Sequence, residues 1–208
     1  MTVIEIETPH GPAKAHLYSA DAPKAALILG HGAAGGVEAV DLVATKDVAV
    51  AQGITVALVE QPYRVAGRRS PAPAKQLDAA WTAMVEHLAA NELGGLPLIA
   101  GGRSLGGRVA CRTAGELGAV AILCLAFPLQ PKRRSDNPPP SRLPELDAVT
   151  VPTLIVQGDR DQFGIPPPGK RREVVEVPGN HGLKDTESMA AAVEAWLPKV
   201  LTQLSAGR

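Results

Sequence analysis

Residues 97–107 read PLIAGGRSLGG, an apolar run that ends in a glycine-rich turn around Ser104. The run predicts a strand at residues 97–102, and the residues after the turn predict a helix. Between them, residues 102–106 match the pattern G-x-S-x-G. In this context the pattern places a serine hydroxyl on a sharp, strained turn, where small neighbours let strand and helix approach closely. A glycine-rich turn with a serine N-cap shows a similar pattern, so other parts of the chain must decide between the two.

Apolar runs of strand length recur along the chain, at residues 25–30, 55–60, 97–102, 119–127, 152–158 and 172–179. Runs without polar alternation indicate strands that are covered on both faces, as in a parallel sheet. Helical spacing fills the intervals, at residues 39–52, 74–91, 105–117 and from Asp185 onward. In the last of these, Pro198 predicts a kink or a break. Because two further strands flank the turn PHGP at residues 9–12, we expect an N-terminal β-hairpin followed by a mostly parallel, doubly wound α/β sheet.

Length and composition indicate one globular domain. The chain has 208 residues, of which 45% are apolar and 20% are charged. We expect a single domain over residues 1–208, with residues 128–150 forming a short loop in place of a cap domain. The proline and polar residues of the segment 128–144 favour this interpretation, because they cannot form a core of their own.

Charge and cysteine content exclude several classes of protein. The net formal charge is zero, which argues against a protein that coats nucleic acid. Because no apolar run is long enough to cross a bilayer and no basic, apolar leader opens the chain, we expect a cytoplasmic protein that does not bind membranes. Cys111 and Cys124 lie in apolar segments and predict buried thiols rather than a disulfide. We expect no metal and no cofactor, and the sequence leaves the oligomeric state open.

Two later loops supply the partners that a nucleophilic serine needs. Residues 158–161, GDRD, follow one predicted strand, and residues 178–182, PGNHG, follow the next. The order serine, acid, histidine is the one that a G-x-S-x-G turn predicts. Both loops leave the carboxyl ends of their strands, where open α/β sheets build their sites. His181 is therefore the predicted general base, and Asp159 and Asp161 are the candidate acids.

The other histidines fit the role of base less well. His10 lies in the hairpin turn, His16 in an early strand and His87 on the polar side of a helix. His31 lies in the glycine loop after residues 25–29, where the chain order is wrong for a base. We interpret His31 as a structural hydrogen-bonding residue.

Taken together, these motifs resemble the α/β-hydrolase superfamily, and more narrowly its small dienelactone-hydrolase-like branch. The resemblance covers nearly the whole chain and rests on GHGAAGG (30–36), PYRVAGRRSP (62–71), GGRSLGGR (101–108), PTLIVQGDRDQFG (152–164) and GNHGLK (179–184). It implies that the acid is the third residue after the strand-end glycine, which is Asp161. It also implies an oxyanion hole formed by the backbone N–H groups of Ala33 and Leu105. The expected activity is cleavage of a small carboxylic ester, lactone or thioester through an acyl-enzyme on Ser104.

Basic residues cluster in the predicted loops and lead to an expectation about the substrate. They are Arg64, Arg68, Arg69, Arg103, Lys132, Arg133, Arg134, Lys170 and Arg171. If these loops leave the same edge as Ser104, the site is electropositive and favours an anionic acyl substrate, with Arg64 and Arg103 as binding residues. Alternatively, Arg103 or Arg64 pairs with a carboxylate such as Glu60 and holds the turn.

Two functions of other classes remain open. Residues 30–35, GHGAAG, match the dinucleotide fingerprint G-x-G-x-x-G, and Glu60 ends the next predicted strand. That interpretation leaves the residues around Ser104 and His181 unexplained. A non-catalytic binding protein could also retain a hydrolase fold. Reaction with a fluorophosphonate separates both alternatives from a serine hydrolase.

Overall fold

The apolar runs of the sequence become the strands of one sheet. The computed structural model describes residues 1–131 and 140–206. Its strands are β1 (Thr2–Thr8), β2 (Gly11–Tyr18), β3 (Ala25–Gly30), β4 (Ile54–Glu60), β5 (Leu98–Arg103), β6 (Ala121–Leu125), β7 (Thr153–Gly158) and β8 (Arg172–Val177). The sheet has the order β1-β2-β4-β3-β5-β6-β7-β8. β1 and β2 form the predicted antiparallel hairpin, β2 pairs antiparallel with β4, and the remaining pairs are parallel.

Helices cover both faces of this sheet. They are α1 (Val40–Ala51), α2 (Pro62–Val65), α3 (Ala74–Ala90), α4 (Leu105–Thr113), α5 (Leu143–Asp147) and α6 (Thr186–Ala206). Side chains of α3 and α4 pack in one apolar cluster and those of α1 and α6 in another. Successive strand residues alternate between the two, since Ala26 and Ile28 join the first cluster while Leu27 and Leu29 join the second. Burial on both faces therefore explains the continuous apolar strands β3 to β7, whereas the edge strand β8 buries only Val177.

Three local expectations need correction. α6 continues through Pro198, so of the kink or break predicted there the break does not occur. The short helices α2 and α5 lack the apolar periodicity that would have predicted them, and α5 lies inside the segment 128–150 that was expected to be a loop. Residues 132–139 of that segment lie outside the described residues.

The buried side of α1 also differs from the one that the spacing indicates. The apolar residues at helical spacing are Val40, Val43, Ala44, Val48 and Ala51. The buried residues are instead Asp41, Leu42, Thr45 and Ala49, and Val40 is 56% exposed. Val43, Ala44 and Val48 are half-buried, so the buried side lies beside the predicted one and includes Asp41, whose carboxylate pairs with Arg103.

The turn around Ser104 depends on close contact between backbones. In the sheet register, Gly30 of β3 lies beside Gly102 of β5. A Cβ atom on Gly106 would lie 2.2 Å from the carbonyl oxygen of Gly30, and one on Gly102 would lie 2.4 Å from the same atom. Because backbone atoms cannot move aside as a side chain can, only glycine fits at these two positions.

We therefore expect Gly106→Ala to destabilise the protein by about 3 kcal/mol or more, because α4 must move away from β3 to admit the methyl group. Gly115→Ala is the matched control, since no atom lies within 4 Å of a Cβ atom at that glycine. It should leave the free energy of unfolding unchanged or raise it by about 0.5 kcal/mol. Urea denaturation measures both, and equal stability of the two variants would contradict the packing described.

Candidate active site

Ser104 lies between β5 and α4 in a conformation that few residues adopt. Its φ and ψ angles are 51° and −103°, and a positive φ is uncommon outside glycine. The backbone N–H of Ser104 donates to the carbonyl oxygen of Leu125 at 2.8 Å, which ties the turn to β6. The turn leaves the carboxyl end of β5, so the hydroxyl lies at the edge of the sheet where the loops after β7 and β8 also emerge.

A chain of hydrogen bonds connects Ser104, His181 and Asp161. The Nε2 atom of His181 lies 2.9 Å from the Ser104 hydroxyl oxygen, and its Nδ1 atom lies 2.8 Å from Oδ2 of Asp161. With the proton on Nδ1, the ring donates to the carboxylate and accepts from the hydroxyl. The Asp161 side chain is fully buried, whereas the His181 side chain is 16% exposed. This arrangement can transfer a proton from the hydroxyl to an imidazole that a buried carboxylate orients.

The two candidate acids have different surroundings. Asp161 contacts His181, and its second oxygen accepts from the backbone N–H of Phe163 at 2.9 Å. Asp159 is about half exposed and accepts from the backbone N–H of Gly179 at 2.8 Å, so it links the β7 loop to the β8 loop. The structure brings Asp161, and not Asp159, to the imidazole.

Two residues beside this chain of hydrogen bonds were not predicted from the sequence. Gln157 is fully buried, and its Nε2 atom lies 2.7 Å from Oδ2 of Asp161. The same nitrogen lies near the carbonyl oxygens of Phe127 and Gly164, so the side chain joins the segment after β6 to the β7 loop behind the carboxylate. The available signal was a single polar residue inside the apolar run PTLIVQG. Phe163 packs edge-on against the His181 ring with 4.5 Å between centroids, and nothing in its position predicted that contact.

The loop between β3 and α1 carries the predicted oxyanion residue Ala33. The hydroxyl of Tyr63 donates to the carbonyl oxygen of Ala33 at 2.8 Å, which fixes the loop from α2. Leu105, the other predicted donor, is the first residue of α4, and an N–H in the first turn of a helix has no carbonyl one turn earlier to bind. Burial raises the pKa of Tyr63 to about 12, so its hydroxyl remains a donor at neutral pH.

His31 is structural, as the sequence indicated. Its Nδ1 atom lies 2.8 Å from the carbonyl oxygen of Gly32, and its Nε2 atom accepts from the backbone N–H of Gln61 at 3.1 Å. These two bonds require a neutral ring with the proton on Nδ1. Burial lowers the pKa of His31, although the hydrogen bond to Gly32 opposes the shift.

The dinucleotide interpretation of residues 30–35 does not fit the structure. In that fingerprint the glycines open a helix whose N-terminus receives the pyrophosphate. Here α1 begins only at Val40, several residues after the last glycine. The guanidinium of Arg103 also lies against Gly32, where a Cβ atom would be 2.7 Å from Nη1. Gly30 therefore accommodates the turn around Ser104, and Gly32 accommodates the side chain of Arg103.

Three of the nine basic residues behind the expected electropositive site do not have the predicted role, namely Arg103, Lys170 and Arg171. Arg103 donates from Nε to Asp41 at 2.8 Å and from Nη2 to the carbonyl oxygen of His181 at 3.0 Å. The alternative expectation, that Arg103 pairs with a carboxylate, is therefore correct, but the carboxylate is that of Asp41. Glu60 instead contacts His16 at 2.7 Å. Arg64 is half-buried in α2 and donates to the carbonyl oxygen of Arg68.

Lys170 and Arg171 lie at the wrong edge for the predicted role. The carbonyl oxygen of Arg171 accepts from the N–H of Thr153, the first residue of β7, at 2.7 Å. Residues that immediately precede a parallel strand lie at the amino edge, opposite Ser104, because the connection has already crossed the sheet. The prediction failed because it assigned the whole connection to the edge where it starts. Lys132, Arg133 and Arg134 lie outside the described residues.

The described residues show neither a metal site nor a membrane-spanning helix. Within residues 1–131 and 140–206, no group of three or more histidine, cysteine or acidic side chains could hold a metal ion. In the same part of the chain, no helix is both long and apolar enough to span a bilayer. Cys111 and Cys124 are buried free thiols whose sulfur atoms lie 3.6 Å apart.

Comparison with known proteins identifies the family. A family model described as an alpha/beta hydrolase domain matches residues 23–196. The chain therefore belongs to the alpha/beta hydrolase family, which confirms the resemblance seen in the sequence. No curated protein matches the sequence.

Solved structures of low sequence identity share the fold. Est1E from Butyrivibrio proteoclasticus matches with a TM-score of 0.78 at 18% identity, over 97% of this chain and 100% of that one. A serine hydrolase without a lid from Xanthomonas campestris has a TM-score of 0.72 at 18% identity, over 94% of both chains. Dienelactone hydrolase from Anabaena variabilis has a TM-score of 0.73 at 15% identity, over 94% of both. The predicted α/β-hydrolase fold with an N-terminal hairpin is thus confirmed.

The buried, neutral His31 should make stability fall in acid. Its pKa in the folded protein is below the ordinary value of 6.5. In mild acid the imidazole is therefore protonated more in the unfolded chain than in the folded protein, and this difference favours unfolding. The stabilising contribution is complete above that ordinary value and is lost as the pH falls towards the folded pKa, with a slope of up to about 1.4 kcal/mol per pH unit. Urea denaturation between about pH 7.5 and pH 5 measures the slope.

We expect His31→Gln to have a smaller slope than the unmodified protein. The control His87→Gln changes an exposed side chain of α3 and should keep the full slope. An unchanged slope in His31→Gln would show that the histidine is not held in its neutral form.

Proposed function

We propose that this protein is a serine hydrolase that cleaves a small carboxylic ester, lactone or thioester through an acyl-enzyme on Ser104. The observation that carries the proposal is the continuous chain of hydrogen bonds from the Ser104 hydroxyl through His181 to the buried Asp161. An alkyl hydroxyl is a weak nucleophile unless a base removes its proton during attack. His181 lies within reach of that proton, and Asp161 holds the ring in the tautomer that can accept it.

The reaction has two halves. In the first, the Ser104 oxygen attacks the acyl carbon, His181 takes the hydroxyl proton on Nε2, and the imidazolium then gives it to the departing alcohol or thiol. In the second, His181 takes a proton from water, which attacks the acyl-enzyme, and the same proton returns to the Ser104 oxygen as the carboxylic acid leaves. Asp161 remains ionised and stabilises the imidazolium that forms in each half.

The oxyanion of each tetrahedral intermediate needs donors that are in place beforehand. The N–H of Leu105 supports this role because it starts α4, where the helix dipole also favours negative charge. The N–H of Ala33 is the proposed second donor, since the Tyr63 hydroxyl and the His31 ring hold its loop. Loss of one such donor typically costs about 3 kcal/mol of transition-state stabilisation.

The substrate is proposed to carry a short acyl group. Residues 126–152 connect β6 to β7, where a cap could be inserted, and a connection of that length is too short to form a domain with its own core. The relatives by fold include a dienelactone hydrolase and Est1E, whose structure has also been solved with ferulic acid bound. These relatives support ester or lactone chemistry at the site.

Replacing Ser104 with alanine should abolish covalent labelling by a fluorophosphonate. Hydrolysis of p-nitrophenyl acetate and butyrate should fall by about 10³-fold or more, because the nucleophile and its base act as a unit. Intact-protein mass spectrometry and steady-state kinetics measure the two effects. A protein that resists the probe and lacks activity with Ser104 present would instead be a binding protein with a hydrolase fold.

Asp161→Asn should lower kcat by about 10³- to 10⁴-fold, because the amide favours the wrong tautomer and cannot stabilise the imidazolium. Asp159→Asn is the matched control, since an amide oxygen at this exposed position can still accept from Gly179. Its kcat should remain within about threefold of the parent. The reverse ranking of the two variants would identify Asp159 as the acid.

A further inference from the structure

The guanidinium of Arg103 lies where three segments of the site meet. Arg103 directly precedes Ser104 in the turn. Its Nε atom donates to Oδ2 of Asp41 in α1, and its Nη2 atom donates to the carbonyl oxygen of His181. Its Nη1 atom lies against Gly32, in the loop that carries the proposed oxyanion donor. One planar group next to the nucleophile in sequence thus contacts α1, the loop of the base and the loop of the proposed oxyanion donor.

Asp41 holds this guanidinium in place. Its side chain is 1% exposed, and Arg103 is the cation within 4.0 Å of it among the described residues. Burial raises the pKa of Asp41, and the charge of Arg103 counters that shift. The other carboxylate oxygen accepts from the backbone N–H of Leu42 at 2.9 Å, which fixes the carboxylate in α1. A buried carboxylate with one cationic partner strongly favours the conformation that pairs them.

The backbone of His181 has few restraints besides Arg103, although its ring contacts Asp161, Ser104 and Phe163. It lies between β8 and α6, and glycines flank the Asn180-His181 pair on both sides. Asn180 organises the loop through bonds to Gly182 and Leu183. Within the described residues, the carbonyl oxygen of His181 accepts from Arg103 and from no backbone N–H.

We propose that Arg103, held by Asp41, is a positioning residue that fixes the backbone of His181 and so aligns its ring with the Ser104 hydroxyl. The proposal rests on the proposed function, because it assigns a role in the same reaction. It replaces the expected contact of Arg103 with substrate. Since a base displaced by about 1 Å can lose about 10²-fold in rate, the bond from Nη2 acts on kcat rather than on substrate binding.

The test compares Arg103→Met with Arg112→Met. Arg112 lies in α4, the helix that follows Arg103 and Ser104, and its side chain is 18% exposed against 20% for Arg103. It also pairs with carboxylates, those of the half-buried Asp78 and Glu145. Both variants remove ion pairs, but only Arg103 contacts the loop of the proposed base. We expect kcat of Arg103→Met to fall by about 10- to 100-fold with KM within about threefold, and kcat of Arg112→Met to stay within about threefold.

Arg103→Lys separates positioning from a purely structural role. Lysine keeps a positive charge for Asp41, but it cannot present two nitrogens to Asp41 and to the His181 carbonyl in the same fork geometry. We expect the lysine variant to recover thermal stability while kcat stays reduced. Recovery of both would overturn the proposal and leave Arg103 as a structural partner of Asp41. If Arg103→Met does not fold, the kcat and thermal stability of Arg103→Lys test the positioning role on their own.

Different results would contradict the proposed function and the positioning role of Arg103. If the parent protein does not react with a fluorophosphonate at Ser104, the proposed function is wrong. If the parent reacts and hydrolyses p-nitrophenyl acetate, but Arg103→Met keeps the parental kcat, only the positioning role is wrong. Circular dichroism and thermal melting on every variant show that the compared proteins are folded.

Discussion

The close approach of α4 to the end of β3 is the constraint on which the site depends. Gly106 and Gly102 both face the carbonyl oxygen of Gly30 at distances that exclude a Cβ atom. This contact lets the chain turn sharply enough to hold Ser104 at a φ of 51° and to place its hydroxyl beyond the sheet. The strain at one residue persists because packing on either side fixes it. Any increase in the separation of α4 and β3 would move Ser104 relative to the loop of His181.

Buried polar groups at the carboxyl edge are arranged in pairs that hold the loops. Asp161 is bound by Gln157 and the Phe163 amide, and Asp41 is bound by Arg103. Burying either carboxylate without a partner would cost free energy. Loop conformations that separate the carboxylate from its partner are therefore disfavoured. Proton transfer between hydroxyl and imidazole needs geometry of this kind, because reactivity depends on fractions of an ångström. The buried groups that hold the loops at this edge are therefore as important for the proposed chemistry as the residues that react.

The sequence was sufficient for features that are governed by local rules. Continuous apolar runs located β3 to β8, and the motif around Ser104 together with two later loops located the hydrogen-bonded residues. The sequence was not sufficient for features that depend on contacts between distant parts of the chain. The buried side of α1 follows the pairing of Asp41 with Arg103, which joins residues far apart in the chain. The position of Arg171 depends on where its connection has crossed the sheet, and a charge count contains no such information.

The central claim is that this edge of the sheet holds an acyl group on Ser104 with its oxyanion facing two backbone N–H groups. A crystal structure of the protein after reaction with a small phosphonate tests it most directly. The account predicts electron density continuous from the Ser104 oxygen to phosphorus, with the phosphonyl oxygen about 2.7 to 3.1 Å from the nitrogens of Leu105 and Ala33. An adduct on another residue, or a phosphonyl oxygen that contacts neither nitrogen, would contradict it.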